Sequence, residues 1–232
     1  MTTGQIPGLA EAAGGGLGEA ARLSWREDAS ERTLRRDGRV WTAWTAWIAT
    51  IFVLPGALLV AIEPLTLPVA AICFAHAWFV PWIQARRGAR QVVPLGSERG
   101  AARREGADPG AEGVALGLLG DLVGHAERDL LRDTGLALQR GELGAWLVGE
   151  QGAFLVRSRG RRVDCWCVRV SENAGLPAGD RVAHLLLALR EDELGFAKVA
   201  NLGFSGARWR VRRQLPERSR PALDVARRVA RS

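Results

Sequence analysis

The sequence predicts a membrane α-helical hairpin joined to a small cytoplasmic α+β domain with an antiparallel sheet, ordered α-β-β-β-α-β-β. Three observations carry this. Residues 40–62 and 64–85 each contain no charged residue. Arginines and tryptophans gather at the two outer ends of these runs and are absent between them. Beyond residue 113, amphipathic helical periodicity alternates with short runs of β-forming residues set off by turn signals.

Residues 1–39 read as a disordered and charged cytoplasmic segment. The stretch GLAEAAGGGLGEAA cannot build a core, and residues 22–39, with Trp25, suggest a short interfacial helix. The first 20 residues have no basic start and no apolar core, so they are not read as a secretory signal.

Each apolar run is about 22 residues long, and a bilayer span needs roughly 20 at a rise of about 1.5 Å each. A buried helix of a small soluble domain rarely keeps that length without one charged face. The alternative is a long buried helical hairpin in a soluble protein. Transmembrane helices are therefore expected over about 40–62 and 65–85. Trp41, Trp44 and Trp47 open the first run, and Trp78 and Trp82 close the second. Indole rings favour the membrane–water interface. Pro55–Gly56 should kink the first span. Arg32, Arg35, Arg36 and Arg39 precede the hairpin, and Arg86, Arg87 and Arg90 follow it. The positive-inside rule then places both termini in the cytoplasm, at a plasma (inner) membrane. Glu63 and Pro64 mark the reversal, since a carboxylate at the bilayer centre costs several kcal/mol.

Residues 86–113 are rich in Gly, Arg and Glu and read as a flexible linker. The domain proper spans 114–215. Leu119, Leu122, Val123, Ala126 and Leu130 share one helical face, with an end near Gly135 or Gly141. Residues 145–148, 153–157 and 163–170 read as a three-stranded meander, with GEQG and SRGR as turns. After Asp180, read as the N-cap, Val182, Leu185, Leu186 and Leu189 define a second amphipathic helix. Residues 196–202 and 208–215 read as two more strands joined by GFSG. Residues 216–232 form a basic tail with a faint helical stripe of Leu223, Ala226 and Val229.

The net charge is +7. Residues 207–232 carry nine arginines against two acids, which accounts for the whole excess. The use of arginine with a single lysine, Lys198, in an Ala- and Gly-rich chain suggests a GC-rich, bacterial-type genome. Arg208, Arg210, Arg212, Arg213, Arg218 and Arg220 are the candidate contacts for anionic lipid or nucleic acid. The domain is tethered beside a bilayer, so effective concentration favours lipid.

No catalytic, cofactor or metal residue is assigned. There is no phosphate loop, GxSxG, HExxH or CxxC motif. Cys165 and Cys167 share one strand face and read as reduced, buried thiols, with His125 and His184 lacking metal-motif spacing. His76, one turn after Cys73, reads as a helix–helix or homo-oligomer contact.

The stretch GELGAWLVGEQGAFLV, following a helix that begins near Glu112, resembles the nuclease-related (NERD) domain over residues 112–157. That family sets an acid on one strand and Glu-x-Lys on the next to hold a catalytic metal. Here Gly144 or Ala145 stands in place of the acid, and Val156-Arg157-Ser158 in place of Glu-x-Lys. The resemblance thus implies at most a shared fold, because metal-assisted phosphoryl transfer needs those carboxylates.

The leading expectation is a non-enzymatic binding or scaffold module at the membrane, self-associating through its hairpin and meeting a protein partner. A degenerate nuclease-like enzyme and a tethered nucleic-acid binder are the alternatives.

Overall fold

The computed structural model describes residues 30–93, 109–168 and 176–232. Two long helices open it, α1 (Glu31–Ile62) and α2 (Leu67–Val92), joined by a single 3-10 turn at Pro64–Thr66. The Ser30 hydroxyl caps α1 by accepting from the Thr33 N–H at 3.2 Å, and Glu31 sets an acid in the first turn. The helix then runs unbroken through the charged residues into the apolar stretch. The separate charged segment expected up to residue 39 therefore ends at Ser30, and residues 1–29 lie outside the described residues. At the tip, the Glu63 N–H donates to the Leu59 carbonyl at 3.0 Å, and the Glu63 carbonyl accepts from the Thr66 N–H at 3.0 Å. Pro64 has no N–H to continue the ladder, so the chain reverses where the sequence places the reversal.

The helices meet closely at small and polar positions. A Cβ on Gly56 would lie 3.1 Å from both Cys73 and Phe74. The Thr45 hydroxyl donates to the Trp41 carbonyl at 2.9 Å and lies 3.3 Å from Gln84 Oε1. The His76 ring stacks on Phe52 across the hairpin, while its Nδ1 lies 2.8 Å from the Ile72 carbonyl of its own helix. Both helices are long and apolar enough to cross a membrane, and in each only 11 % of the most apolar 18 residues are buried. Leu54, Leu58, Ile62, Leu65, Ile72 and Trp78 all face outward.

The domain follows as α3 (Pro109–Leu122), α4 (His125–Thr134), β1 (Ala137–Arg140), β2 (Gly144–Gly149), β3 (Gly152–Arg157), β4 (Arg162–Cys167), α5 (Ala178–Glu191), α6 (Glu193–Val199), β5 (Asn201–Ala207), α7 (Arg208–Gln214) and α8 (Arg220–Val229). The five strands form one antiparallel sheet in chain order. Its last pair carries a bulge that leaves Gly203 without a partner between Leu202 and Phe204.

The expected order of elements needs correcting in four places. The first helix is two, broken at Gly124, which takes an extended conformation and caps α4. That helix ends at Gly135, left-handed at φ 72, and the next residues pair as β1 rather than continuing as helix. Residues 196–199 are helical because the Asp192 carboxylate caps α6 through the Gly195 N–H at 2.7 Å. The supposed GFSG turn lies inside β5. Residues 208–214 are helix α7, not a strand. Their alternation hid a helical pair, Val211 and Leu215, both buried four residues apart. The N-cap of α5 is Pro177, with Asp180 in the first turn.

Both faces of the sheet are covered, which is why β2 and β3 are buried along nearly their whole length. On one face Trp146, Val148, Leu155 and Trp166 pack with Leu119, Leu185, Leu186, Leu189 and Phe196. On the other, Leu147, Phe154, Val156, Cys165 and Phe204 pack with Ala85, Ala89 and Val92 of α2 and with Val211, Leu223 and Ala226. Two expectations fall here. The supposed linker from residue 86 begins as the last turns of α2, whose small-residue stripe Ala85, Gly88, Ala89 and Val92 is buried beside exposed Arg86, Arg87 and Arg90. Residues 94–108 of that linker lie outside the described residues. The basic tail is helix α8, with Ala222, Leu223 and Ala226 buried against the sheet.

Candidate functional site

Edge strand β5 lies between the domain-side ends of the two long helices. On one face, Phe204 meets α2 at Gly88, where a Cβ would stand 2.5 Å from Phe204 Cβ and 3.2 Å from Cys165 Sγ. On the other face, Ser205 meets α1 at Gly38, where a Cβ would stand 3.1 Å from Ser205 Oγ. Trp41 closes the gap with an edge-on contact to Phe204, centroids 5.8 Å apart.

A buried polar cluster fills the α1 side. Asp164 on β4 is fully buried, and its carboxylate accepts from Arg157 Nε at 2.6 Å and from the Ser205 hydroxyl at 2.5 Å. Arg157 also donates to the Leu34 carbonyl at 3.3 Å. Arg162 donates to the Gly38 carbonyl at 2.7 Å, to Ser205 Oγ at 3.0 Å and to the Thr42 hydroxyl. A buried carboxylate is tolerable only with this degree of pairing. The arrangement grips the carbonyls of α1 at Leu34 and Gly38 and joins helix to sheet. The Ser205 hydroxyl also lies 3.2 Å from the Gly38 carbonyl, so this buried cluster ties β4 and β5 to α1.

These contacts fix which end of the sheet faces the apolar hairpin. Along α1, Leu34 meets Arg157, and the later residues Gly38 and Thr42 meet Arg162. Along α2, Gln91 meets Gly203 and the earlier Gly88 meets Phe204. The start of β4, the end of β5 and the β3–β4 turn therefore lie nearest the apolar stretch. Three basic segments converge there. The turn itself carries exposed Arg159 and Arg161, and the Arg161 carbonyl accepts from the Arg208 N–H at 2.9 Å. Helix α7 starts at that point. The end of α8 presses on the turn at Gly160, left-handed at φ 65, where a Cβ would lie 2.7 Å from Arg227 Cγ and 3.4 Å from Arg231 Cδ.

The six arginines singled out in the sequence separate into distinct roles. Arg208 and Arg212 pair with Asp224 of α8, at 2.6 and 3.3 Å, and clamp α7 to α8. Arg220 donates to the Leu215 carbonyl and to Glu217, both at 3.3 Å. Arg210 and Arg213 stack on the Trp209 ring at 5.5 and 5.2 Å, and Trp209 is 54 % exposed. Arg218 is exposed. Arg159 and Arg161 escaped the sequence reading, because only the SRGRR turn signal marked them and their neighbourhood is set by strand register.

Burial works to raise the Asp224 carboxyl, but hydrogen bonds and charges from Arg212 and Arg208 outweigh it and hold the group below its ordinary value. A carboxyl depressed on folding contributes stability that is present above its unfolded value, about 3.9, and is lost as pH falls through the folded one. Asp224→Asn should therefore melt below the wild type at pH 7, with the two curves converging below about pH 4. A difference that persists unchanged at pH 3 would assign the effect to something other than this charge.

The remaining carboxylates with strong partners also hold backbone. Glu193 accepts from the Glu142 and Leu143 N–H groups at 2.7 and 3.1 Å and from Trp146 Nε1 at 2.5 Å. Glu112 accepts from the Ala178 and Gly179 N–H groups at 2.7 and 3.2 Å, tying α3 to the start of α5. Cys165 is buried, and its thiol is pushed well up by burial and the neighbouring Asp164 and Cys167. Among the described residues, no group of three or more His, Cys, Asp or Glu side chains could hold a metal ion. The strand positions compared with the nuclease-related family lie side by side, Gly144 opposite Arg157 and Ala145 opposite Val156. Comparison with protein-family models, with curated proteins and with solved structures returns no match.

Proposed function

We propose that this chain is a membrane-anchored protein. In this reading its hairpin enters a plasma (inner) membrane with both outer ends cytoplasmic, and its α+β domain is a binding or scaffold module held at that surface. One observation carries the reading: the apolar halves of α1 and α2 project beyond the domain with almost none of their surface covered. Exposed apolar area costs about 25 cal/mol per Å² in water, and soluble monomers rarely leave such a contiguous surface open. Charge placement supports the orientation. Arg35, Arg36 and Arg39 are exposed at one foot of the hairpin and Arg86, Arg87 and Arg90 at the other, while Glu63 is the charged residue at the tip.

The module reading rests on how the domain spends its carboxylates. Asp164, Glu112, Glu193 and Asp224 hold helices and strands in place. Self-association through the outward faces of the hairpin and a protein partner on the domain belong to the same reading.

The test is extraction of membranes from cells making the full chain. Alkaline carbonate should leave the protein in the pellet, and trypsin added to intact spheroplasts should leave it uncut, because its arginines sit on the inner side. Release into the carbonate supernatant would show that the hairpin is covered by other protein rather than lipid, and the reading would fall.

A further inference from the structure

We propose that the turn-and-helix end of the domain is a binding surface for the anionic headgroups of the bilayer that holds the hairpin. It comprises Arg159 and Arg161 of the β3–β4 turn, Trp209, Arg210 and Arg213 of α7, and Arg227 of α8. The inference rests on the membrane reading above and deepens it by naming the lipid class and the residues that read it.

Its basis is that the fold sets the β3–β4 turn against the basic C-terminal helices, a neighbourhood the linear sequence does not contain. The β3–β4 turn, remote in the chain from α7 and α8, brings its arginines beside theirs at the one end of the sheet that faces the apolar stretch. Helix α7 packs through Val211 into the same core as Ala85 of α2, next to Arg86, whose guanidinium lies 5.2 Å from the Trp82 ring. Trp78 and Trp82, stacked at 5.9 Å, mark an interfacial aromatic level on α2. Trp209 is an exposed indole on the helix that packs against α2, flanked on its ring by two cations. An exposed indole with guanidiniums beside it suits the headgroup zone, where phosphates accept from arginine and the ring displaces water. Asp224 is engaged by Arg208 and Arg212, and Asp37 lies on α1. The patch is also continuous with the uncovered hairpin, so a bilayer taking the one reaches the other without a conformational change.

The occupant is phospholipid rather than nucleic acid on two grounds. The tether holds the surface against lipid at all times, and a single exposed aromatic offers little base stacking. Each arginine near an anionic surface favours association roughly fivefold.

The experiment uses the full chain reconstituted into vesicles of neutral phosphatidylcholine, or of phosphatidylcholine with phosphatidylglycerol, each containing lipid brominated close to the headgroup. The Trp209 signal is the emission of wild type minus that of Trp209→Phe. Flotation of the vesicles reports insertion separately. The expected result is flotation in both, with quenching of the Trp209 signal about twofold or more greater in the anionic vesicles. That excess should fall as salt rises from about 0.1 to 1 M and the screening length shrinks from about 10 to 3 Å. It should also vanish in the triple variant Arg159→Gln, Arg210→Gln, Arg213→Gln. If the variant does not fold, the lipid and salt dependence of the wild type alone decides. Protein that floats with an unquenched Trp209 would overturn this surface while leaving the anchor intact. Protein that does not float would overturn both. Quenching relieved by a single-stranded oligonucleotide at low salt would make the surface a nucleic-acid face and overturn the lipid assignment.

Discussion

Replacing Asp164 by alanine is expected to cost about 3–5 kcal/mol, because it removes the carboxylate and leaves the Arg157 guanidinium without its charge partner in a largely buried site. The unfolding midpoint of the full chain in detergent should fall by about 10 °C, at roughly 2–4 °C per kcal/mol for a chain of this size. Asp164 is fully buried, and the Arg157 side chain is 17 % exposed, so solvent screens their 2.6 Å contact little. Asp164→Asn keeps one acceptor oxygen where Ser205 and Arg157 each use a different one, and should lose less than alanine, since hydrogen bonds to charged groups are worth about 1.5–3 kcal/mol and neutral ones about 1. The damage should localise: Arg157 and Arg162 hold the carbonyls of Leu34 and Gly38, so proteolysis should reach the start of α1 first. If alanine and wild type melt within about 1 kcal/mol of each other, the cluster does not stabilise the junction.

The second large effect is a contrast between two glycines. Gly88→Ala should destabilise by about 1–3 kcal/mol even though alanine is the better helix former by about 1 kcal/mol. Its Cβ would meet the β-carbon of Phe204 at 2.5 Å, an atom that cannot move without shifting β5. Gly38→Ala faces softer neighbours, Ser205 Oγ at 3.1 Å and an Arg157 nitrogen at 3.3 Å. There the propensity gain offsets most of the crowding, and the variant should stay within about 1 kcal/mol of wild type. Denaturant unfolding of both variants in the same detergent checks the order. Equal losses would mean that α2 is not seated on β5 as tightly as its geometry states.

Some elements were legible from local pattern alone. The strands over residues 145–148 and 153–157 were, because GEQG and SRGR bound apolar runs too short for helices. The helix with Val182, Leu185, Leu186 and Leu189 on one face was, because its period of 3.6 needs no partner to be seen. Residues 208–214 form a helix where their pattern predicts a strand, for a physical reason. Alternating Arg and apolar residues satisfy a strand template, but Val211 and Leu215 find their core only four residues apart on a helix beside α2. Residues 216–232 looked solvated, yet a narrow stripe of Ala222, Leu223 and Ala226 suffices when a sheet lies beneath it. Of the candidate site, the arginines of residues 208–220 were visible as charge. That Arg208 and Arg212 are taken by Asp224, while Arg159 and Arg161 join Arg210 and Arg213, was not.

The sequence by itself determined the hairpin: two long uncharged runs, their basic and aromatic outer ends, and the reversal at Glu63-Pro64. Those features depend on helix length, side-chain polarity and a missing proline N–H, all of which act within a few residues. Only the tertiary structure decided that both feet of the hairpin grip β5, that Asp164 is buried with Arg157, and that the β3–β4 turn shares one end of the sheet with α7 and α8. The partners in each case are brought together by strand register and helix packing. A one-dimensional pattern of apolar and charged residues does not carry that information.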